Sequence, residues 1–238
     1  MEVLIYPEPE RVHDEAVRAV NAMLEHEFGG SLLLLLAGGS GLMLLDGIRA
    51  ELLGPHMTVA MSDERLSADP TVSNFAQMAA KPFYRNATNR NCAFIDTRSR
   101  EKETVEELGA RMHDSLNAWR KANPQGRVVM TQGIGPDGHT CGIMPFPESD
   151  ERFKELFDVD GKWAVGYDVT GKNPYPLRAT VTMSFLLNGV DESIAYAVGS
   201  AKWSALKRCA VGDIEHWKTP GAVMREMKKV TLFTDQRV

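Results

Sequence analysis

Asp137 and His139, two residues apart, lie inside the segment VVMTQGIGPDGHTCGIM, residues 128–144. A carboxylate this close to an imidazole offers an orienting group beside a general base, and imidazoles titrate near working pH. The apolar run Val128–Met130 reads as a buried strand. It breaks into Gly133-Ile134-Gly135-Pro136-Asp137-Gly138-His139-Thr140. Ligands collect outside the carboxyl ends of strands in open α/β sheets, so this turn is where chemistry is expected. A plain turn accounts for Gly133 and Gly135 through their conformational freedom, but it does not ask for Asp137 and His139 as neighbours. GIGPDG also has the spacing of the dinucleotide fingerprint. That fingerprint needs a helix to follow, and Pro145 and Pro147 stand in its way.

Three further clusters suit an anion. Leu32–Leu36 runs into Ala37-Gly38-Gly39-Ser40-Gly41, where small residues let main-chain N–H groups and a hydroxyl approach phosphate or carboxylate. Ser40 also serves as a plain helix cap, and both roles are compatible. No GKS or GKT follows, which disfavours a nucleotide P-loop. Met61-Ser62-Asp63-Glu64-Arg65 ends another short apolar run and is followed by Ser73-Asn74. Charge clusters of this kind are usually solvated turns, yet Arg65 at a strand end offers a permanently charged fork for anionic oxygen. Arg178 opens RATVTM, and Lys202 follows Gly199-Ser200-Ala201. A lysine at a helix start opposes the macrodipole and so points to a bound anion.

Other chemistry has little support. His13, His26 and His113 fall in charged helical stretches, and His56 and His216 have no companion motif. No HExxH, Cys/His pair spacing or carboxylate cluster argues for a metal, and no cofactor is expected. GxSxG is absent, leaving no strong covalent nucleophile.

The net charge of −5 and the lack of a basic run disfavour nucleic acid and anionic membranes as partners. Cys92, Cys141 and Cys209 are widely spaced, as in a reducing compartment. The apolar run Leu32–Ala37 is far shorter than the roughly 18 residues of a membrane span. The first residues lack a signal-peptide pattern, so the cytoplasm is the expected location.

The elements that position these clusters alternate. Strands are predicted at Val3–Tyr6, Leu32–Leu36, Met57–Met61, Cys92–Ile95 and Val128–Met130. Helices are predicted at Pro9–Glu27, Ser40–Leu53, Ser73–Phe83 and Glu101–Lys121. The later part reads as strands at Ala164–Val169, Ala179–Phe185, Ile194–Val198 and Val230–Phe233, with helices at Ala201–Ala210 and Gly221–Met227. Pro145–Ser149 and Gly171–Pro176 read as loops. Strand–helix alternation implies parallel βαβ units, and without repeats or linkers the 238 residues read as one domain.

Taken in order, the motifs resemble the 6-phosphogluconolactonase family, relatives of the glucosamine-6-phosphate deaminases. They are GGS at Gly38–Ser40, DER at Asp63–Arg65, SN at Ser73-Asn74, GxGPDGHT at Gly133–Thr140, the Arg178-led strand and GxxK at Gly199–Lys202. The resemblance implies a three-layer α/β/α fold with a mainly parallel, Rossmann-like sheet. It also implies hydrolysis of 6-phosphoglucono-δ-lactone in the pentose phosphate pathway, by a monomer or homodimer. His139 would activate water with Asp137 orienting it. Gly38, Gly39, Ser40, Asp63, Arg65, Asn74, Gly135, Arg178 and Lys202 would contact the phosphorylated sugar lactone. Deaminases resemble DGHIAFNEP, with a glutamate five residues after the histidine; Met144 stands there, and Arg65 replaces their usual tyrosine. Both differences favour the lactonase over a deaminase or a non-catalytic sugar-phosphate sensor. This chain also departs from lactonases, with Gly41-Leu42 for Thr-Pro and HTCGIMP for HTASLFP.

Overall fold

Five consecutive leucines, Leu32–Leu36, are buried along their whole length, as a strand covered on both faces requires. The computed structural model, which describes residues 1–27 and 29–238, shows what covers them. Leu32, Leu34 and Leu36 pack with Val12, Ala16, Val20 and Leu24 of the first helix. Leu33 and Leu35 face the other way, into a cluster with Leu108, Met112 and Leu116 of the longest later helix. The period-two alternation of a strand therefore places a helical layer on each side of one sheet.

The chain opens with β1 (Glu2–Ile5), α1 (Pro9–His26) and β2 (Leu32–Leu36). Two 3₁₀ segments follow at Gly39–Gly47 and Ala50–Leu52, then β3 (Met57–Met61) and the short β4 (Asp63–Arg65). Next come α2 (Asn74–Ala79), α3 (Pro82–Asn89), β5 (Ala93–Ile95), α4 (Val105–Ala122) and β6 (Arg127–Gln132). The last third holds α5 (Asp150–Phe157), β7 (Ala164–Asp168), β8 (Leu177–Val181), α6 (Met183–Asn188) and β9 (Glu192–Ala197). A 3₁₀ turn at Ser200–Lys202, α7 (Trp203–Val211), a 3₁₀ segment at Pro220–Arg225 and β10 (Val230–Thr234) complete it.

Seven strands form a parallel sheet in the order β1-β10-β9-β6-β2-β3-β5. Chain order runs outward in one direction from β2 through β3 to β5, and in the other from β6 through β9 to β10. The direction of winding reverses between β2 and β6, whose carboxyl ends are where a ligand crevice is expected. A smaller antiparallel sheet, β4-β8-β7, brings the Asp63–Arg65 segment beside the Arg178 strand. The α/β/α architecture with a mainly parallel central sheet is the one the sequence predicts.

Several elements depart from expectation for local reasons. Ser40–Leu53 is predicted as one helix but forms two 3₁₀ segments; Gly39, Gly41 and Gly47 weaken an α-helix there. Ser73–Phe83 is two helices, because Pro82 pushes Lys81 into an extended conformation (φ −81°, ψ 150°). The expected strand Ala179–Phe185 stops at Val181. Thr182 caps α6 there, its hydroxyl accepting the Phe185 N–H at 3.2 Å. Helix α5, which periodicity did not single out, follows the Pro145–Ser149 loop and starts on a Ser149 cap. In the Gly221–Met227 region the helix is a 3₁₀ segment beginning at Pro220.

Candidate active site

The turn after β6 is closed by its own main chain. The Gly135 N–H donates to the His139 carbonyl at 2.9 Å, and the Gly138 N–H to the Gly135 carbonyl at 3.0 Å. Gly135 must lack a side chain, since a Cβ there would lie 2.1 Å from His139 Cε1. Two contacts hold the turn from outside: the Gly221 N–H donates to the Gly138 carbonyl at 2.9 Å, and Arg208 donates to the Asp137 carbonyl at 3.2 Å. Within this frame Asp137 Oδ1 lies 2.6 Å from His139 Nδ1 and also accepts the His139 main-chain N–H at 3.1 Å.

Burial alone would raise the Asp137 carboxyl, but the hydrogen bonds and charge of His139 outweigh it and hold the group below the usual carboxylate range. An ionised acceptor at Nδ1 assigns the ring proton to that nitrogen. In the neutral ring that tautomer puts the lone pair on Nε2, on a side chain 28% exposed to solvent.

A cavity of about 190 Å³ opens beside this turn, at the carboxyl ends of β2 and β6. Every site residue predicted from sequence lines it except Asp137, which stands behind His139. From the β2 side come Gly38, Gly39 and Ser40, and from the turn after β9 comes Lys202. Lys202 Nζ donates to Ser40 Oγ at 3.4 Å, joining residues 162 positions apart. Burial pulls the Lys202 ammonium below the usual lysine range, and the charge of Asp235 opposes that pull.

A second basic pole comes from the small sheet. Arg65 on β4 is the register partner of Arg178 on β8, so their backbones are adjacent. Arg178 Nη2 lies 3.5 Å from Asp63 Oδ2, and both side chains are almost fully buried. The Nε atoms of Arg65 and Arg178 are buried without a hydrogen-bond partner among the described residues. Arg65 Nη1 donates to the Val72 carbonyl at 3.2 Å, and its guanidinium lies 5.1 Å from the Tyr175 ring centroid. Donors left over in a buried, basic wall are chemically suited to an anionic or hydroxyl-rich ligand.

Sequence reasoning passed over the residue that organises this wall. Glu64 is fully buried and accepts five hydrogen bonds. Its donors are the main-chain N–H groups of Arg65, Asn74 and Phe75 and the hydroxyls of Ser73 and Thr97. Burial raises its carboxyl, against the pull of those main-chain donors. The carboxylate thereby docks the start of α2 onto β4. Asn74 is drawn in so that its Nδ2 donates to the Asp63 carbonyl at 3.0 Å, while its Oδ1 would stand 2.4 Å from a Cβ at position 38. Gly38 is what makes that close approach possible. Ser73 before an apolar helix start was the available signal for the docking, but nothing local says that Glu64 points inward.

Tyr167 on β7 was also not singled out. Its hydroxyl contacts the Gly142 carbonyl at 2.5 Å and accepts the Met144 N–H at 3.2 Å, bracing the segment after His139. Cys141 lines the cavity with φ at 51°, and burial pushes its thiol up to about 12. Met144 is buried in the apolar core and does not line the cavity. Among the described residues no group of three or more His, Cys, Asp or Glu side chains is gathered to hold a metal, and no helix is long and apolar enough to cross a membrane.

Residues 7–233 match the family model described as glucosamine-6-phosphate isomerases/6-phosphogluconolactonase. A Homo sapiens 6-phosphogluconolactonase is 29% identical over 109 residues, covering 45% of this chain and 38% of that protein. A Bos taurus 6-phosphogluconolactonase is 31% identical over 110 residues, again covering 45% and 38%. The matched stretch thus spans well under half the length of these relatives. Among solved structures, a 6-phosphogluconolactonase from Shewanella baltica OS155 superposes with a TM-score of 0.77 at 18% identity, covering 100% of this chain and 98% of that one. One from Trypanosoma brucei superposes with a TM-score of 0.75 at 20% identity, covering 98% and 95%. At such identities the superpositions speak to the fold.

Proposed function

The chain belongs to the family of glucosamine-6-phosphate isomerases and 6-phosphogluconolactonases, and from that premise we propose that it hydrolyses 6-phosphoglucono-δ-lactone to 6-phosphogluconate. The observation that carries this reading is the short Asp137–His139 contact opening onto the same cavity as the Ser40–Lys202 pair. A δ-lactone is an activated ester, so a positioned water, a base and charge stabilisation are enough for its hydrolysis.

In this mechanism His139 Nε2 takes a proton from water as the water oxygen bonds to C1 of the lactone. Asp137 keeps the other ring nitrogen protonated and stabilises the imidazolium that forms. The tetrahedral intermediate collapses by breaking the bond between C1 and the ring oxygen. That oxygen takes the proton from the imidazolium and becomes the sugar hydroxyl, while the new carboxylic acid ionises to solvent. Main-chain N–H groups of the glycine turns stabilise the developing oxyanion, while the Gly135 N–H stays bonded to the His139 carbonyl and keeps the turn closed. Gly38, Gly39, Ser40, Lys202, Arg65 and Arg178 hold the phosphate, with Asp63 and Asn74 shaping the wall between. Anchoring the far end places C1 against His139, where most of the rate advantage arises. The reaction belongs to the pentose phosphate pathway in the cytoplasm.

Ring opening with amine release is the competing chemistry within the family. It calls for a third acid after the histidine, and Met144 fills that position with a buried apolar side chain. The deciding measurement is lactone consumption above its spontaneous rate, alongside ammonia release from glucosamine 6-phosphate. Acceleration of the first that disappears in His139→Ala is expected. Ammonia release, or full lactone turnover by His139→Ala, would overturn the assignment.

A further inference from the structure

We propose that Asp235, just beyond β10, is a positioning residue that holds the Gly199–Lys202 turn, and with it Lys202, in place for a phosphorylated ligand. This rests on the reading that the cavity takes such a ligand. Asp235 Oδ1 accepts the Gly199 N–H at 2.9 Å. Gly199 has φ at 106° and accepts the Lys202 N–H through its carbonyl at 3.0 Å, so one carboxylate fixes the turn that carries the lysine. The next residue is tied down as well: Trp203 Nε1 donates to the Arg237 carbonyl at 3.0 Å. The chain beyond β10 is therefore packed onto the turn that carries Lys202.

Lys202 needs that help. Burial favours its neutral amine, and the cavity wall offers more positive than negative charge. Facing it are the Ser40 hydroxyl from the 3₁₀ segment after β2 and Asp235 from the segment after β10. Across the cavity stand Asp63 and Arg65 from β4, Arg178 from β8, and His139 with Asp137 behind it from the turn after β6. Asp63 is engaged by Arg178, which leaves Asp235 to offset the burial of Lys202. A neutral amine attracts a phosphate dianion far less than an ammonium does. Loss of Asp235 is therefore expected to weaken phosphate capture most at the alkaline end.

Asp235→Asn keeps an acceptor for the Gly199 N–H and removes only the charge. It is expected to raise KM for 6-phosphogluconolactone about fivefold, the effect of one partly screened charge, with kcat changed less than about twofold. The pH at which KM begins to climb should move downward. Asp235→Ala, which also frees the Gly199 N–H, should raise KM further. Hydrolysis of unphosphorylated gluconolactone should change in neither variant, and an Asp235→Asn change made on Lys202→Met should add nothing. An Asp235→Asn enzyme with wild-type KM and pH profile, or one equally impaired on both lactones, overturns the proposal. Calorimetric titration with 6-phosphogluconate separates the two readings. If the wild-type protein accelerates no lactone, yet Asp235→Asn weakens 6-phosphogluconate binding and does so only when Lys202 is present, the hydrolase reading falls and the role of Asp235 stands. Unchanged 6-phosphogluconate affinity in Asp235→Asn removes the role of Asp235 whatever the enzyme catalyses.

Discussion

The turn that carries Asp137 and His139 and the wall that carries Lys202, Arg65 and Arg178 are finished to different degrees. In the turn the contacts are short and mutual: 2.6 Å between Asp137 and His139, with Gly135 and Gly138 both bonded into the loop. In the wall they are long, 3.4 Å from Lys202 to Ser40 and 3.5 Å from Arg178 to Asp63, and two arginine Nε atoms have no partner among the described residues. The half that would handle protons is organised by the protein itself, whereas the half that would hold the substrate keeps donors for the substrate to complete. Preorganisation is worth most where charge develops during reaction, and spare donors are worth most where charge arrives with the ligand.

The sharpest way to break this contrast is at His139. His139→Ala is expected to lower kcat about 10³-fold, within the range ascribed to general base catalysis, while 6-phosphogluconate still binds in a calorimetric titration. Binding lost in parallel with turnover would show that the two halves are not separable. Asp137→Asn is next, with kcat reduced roughly 10–100-fold and KM nearly constant, because it disturbs the proton on Nδ1 rather than the anchor. A KM effect larger than the kcat effect there would place Asp137 in the anchor.

On the other side, Lys202→Met should raise KM for the phosphorylated lactone about tenfold, the worth of one charge-assisted hydrogen bond, and leave unphosphorylated gluconolactone unaffected. Burial holds the Lys202 ammonium below the usual lysine range, so raising the pH removes its charge earlier than for an exposed lysine. Wild-type KM should accordingly climb on the alkaline side, and the climb should vanish in Lys202→Met. A flat KM in the wild type would argue that the arginine pair alone holds the phosphate. The smallest effect is expected from Tyr167→Phe, which removes the hydroxyl joining Gly142 and Met144. Turnover should fall a few-fold, with a loss of about 1 kcal/mol in unfolding free energy by denaturant titration. A kcat loss as large as that of Asp137→Asn would extend the prearranged half of the site into the small sheet.

Much of this is legible in the sequence, and what is not has identifiable physical causes. The glycine turns, the Asp137–His139 spacing and the leucine strand are short-range features, governed by backbone sterics and by alternation along a few residues. The misread helix at Ser40–Leu53 and the misread strand at Ala179–Phe185 were decided by single residues within the run. There glycines weaken one helix, and the Thr182 cap starts another. Glu64 was obscured differently. In the sequence it sits in an Asp-Glu-Arg cluster that resembles a solvated turn, and only docking against the start of α2 reveals five donors converging on it.

The sequence by itself determined which groups the protein can present: an acid–base pair on a glycine turn, a Gly-Gly-Ser turn after an apolar strand, and a few dispersed basic residues. The tertiary structure decided which of them meet. Lys202 reaches Ser40 because the parallel sheet brings the carboxyl ends of β9 and β2 to the same edge, on either side of β6. Arg178 stands beside Arg65 because β4 and β8 pair in one antiparallel register. Local pattern follows from steric preferences acting over a few bonds. Contact between residues more than a hundred positions apart follows from strand order and register, which the packing of the whole sheet selects.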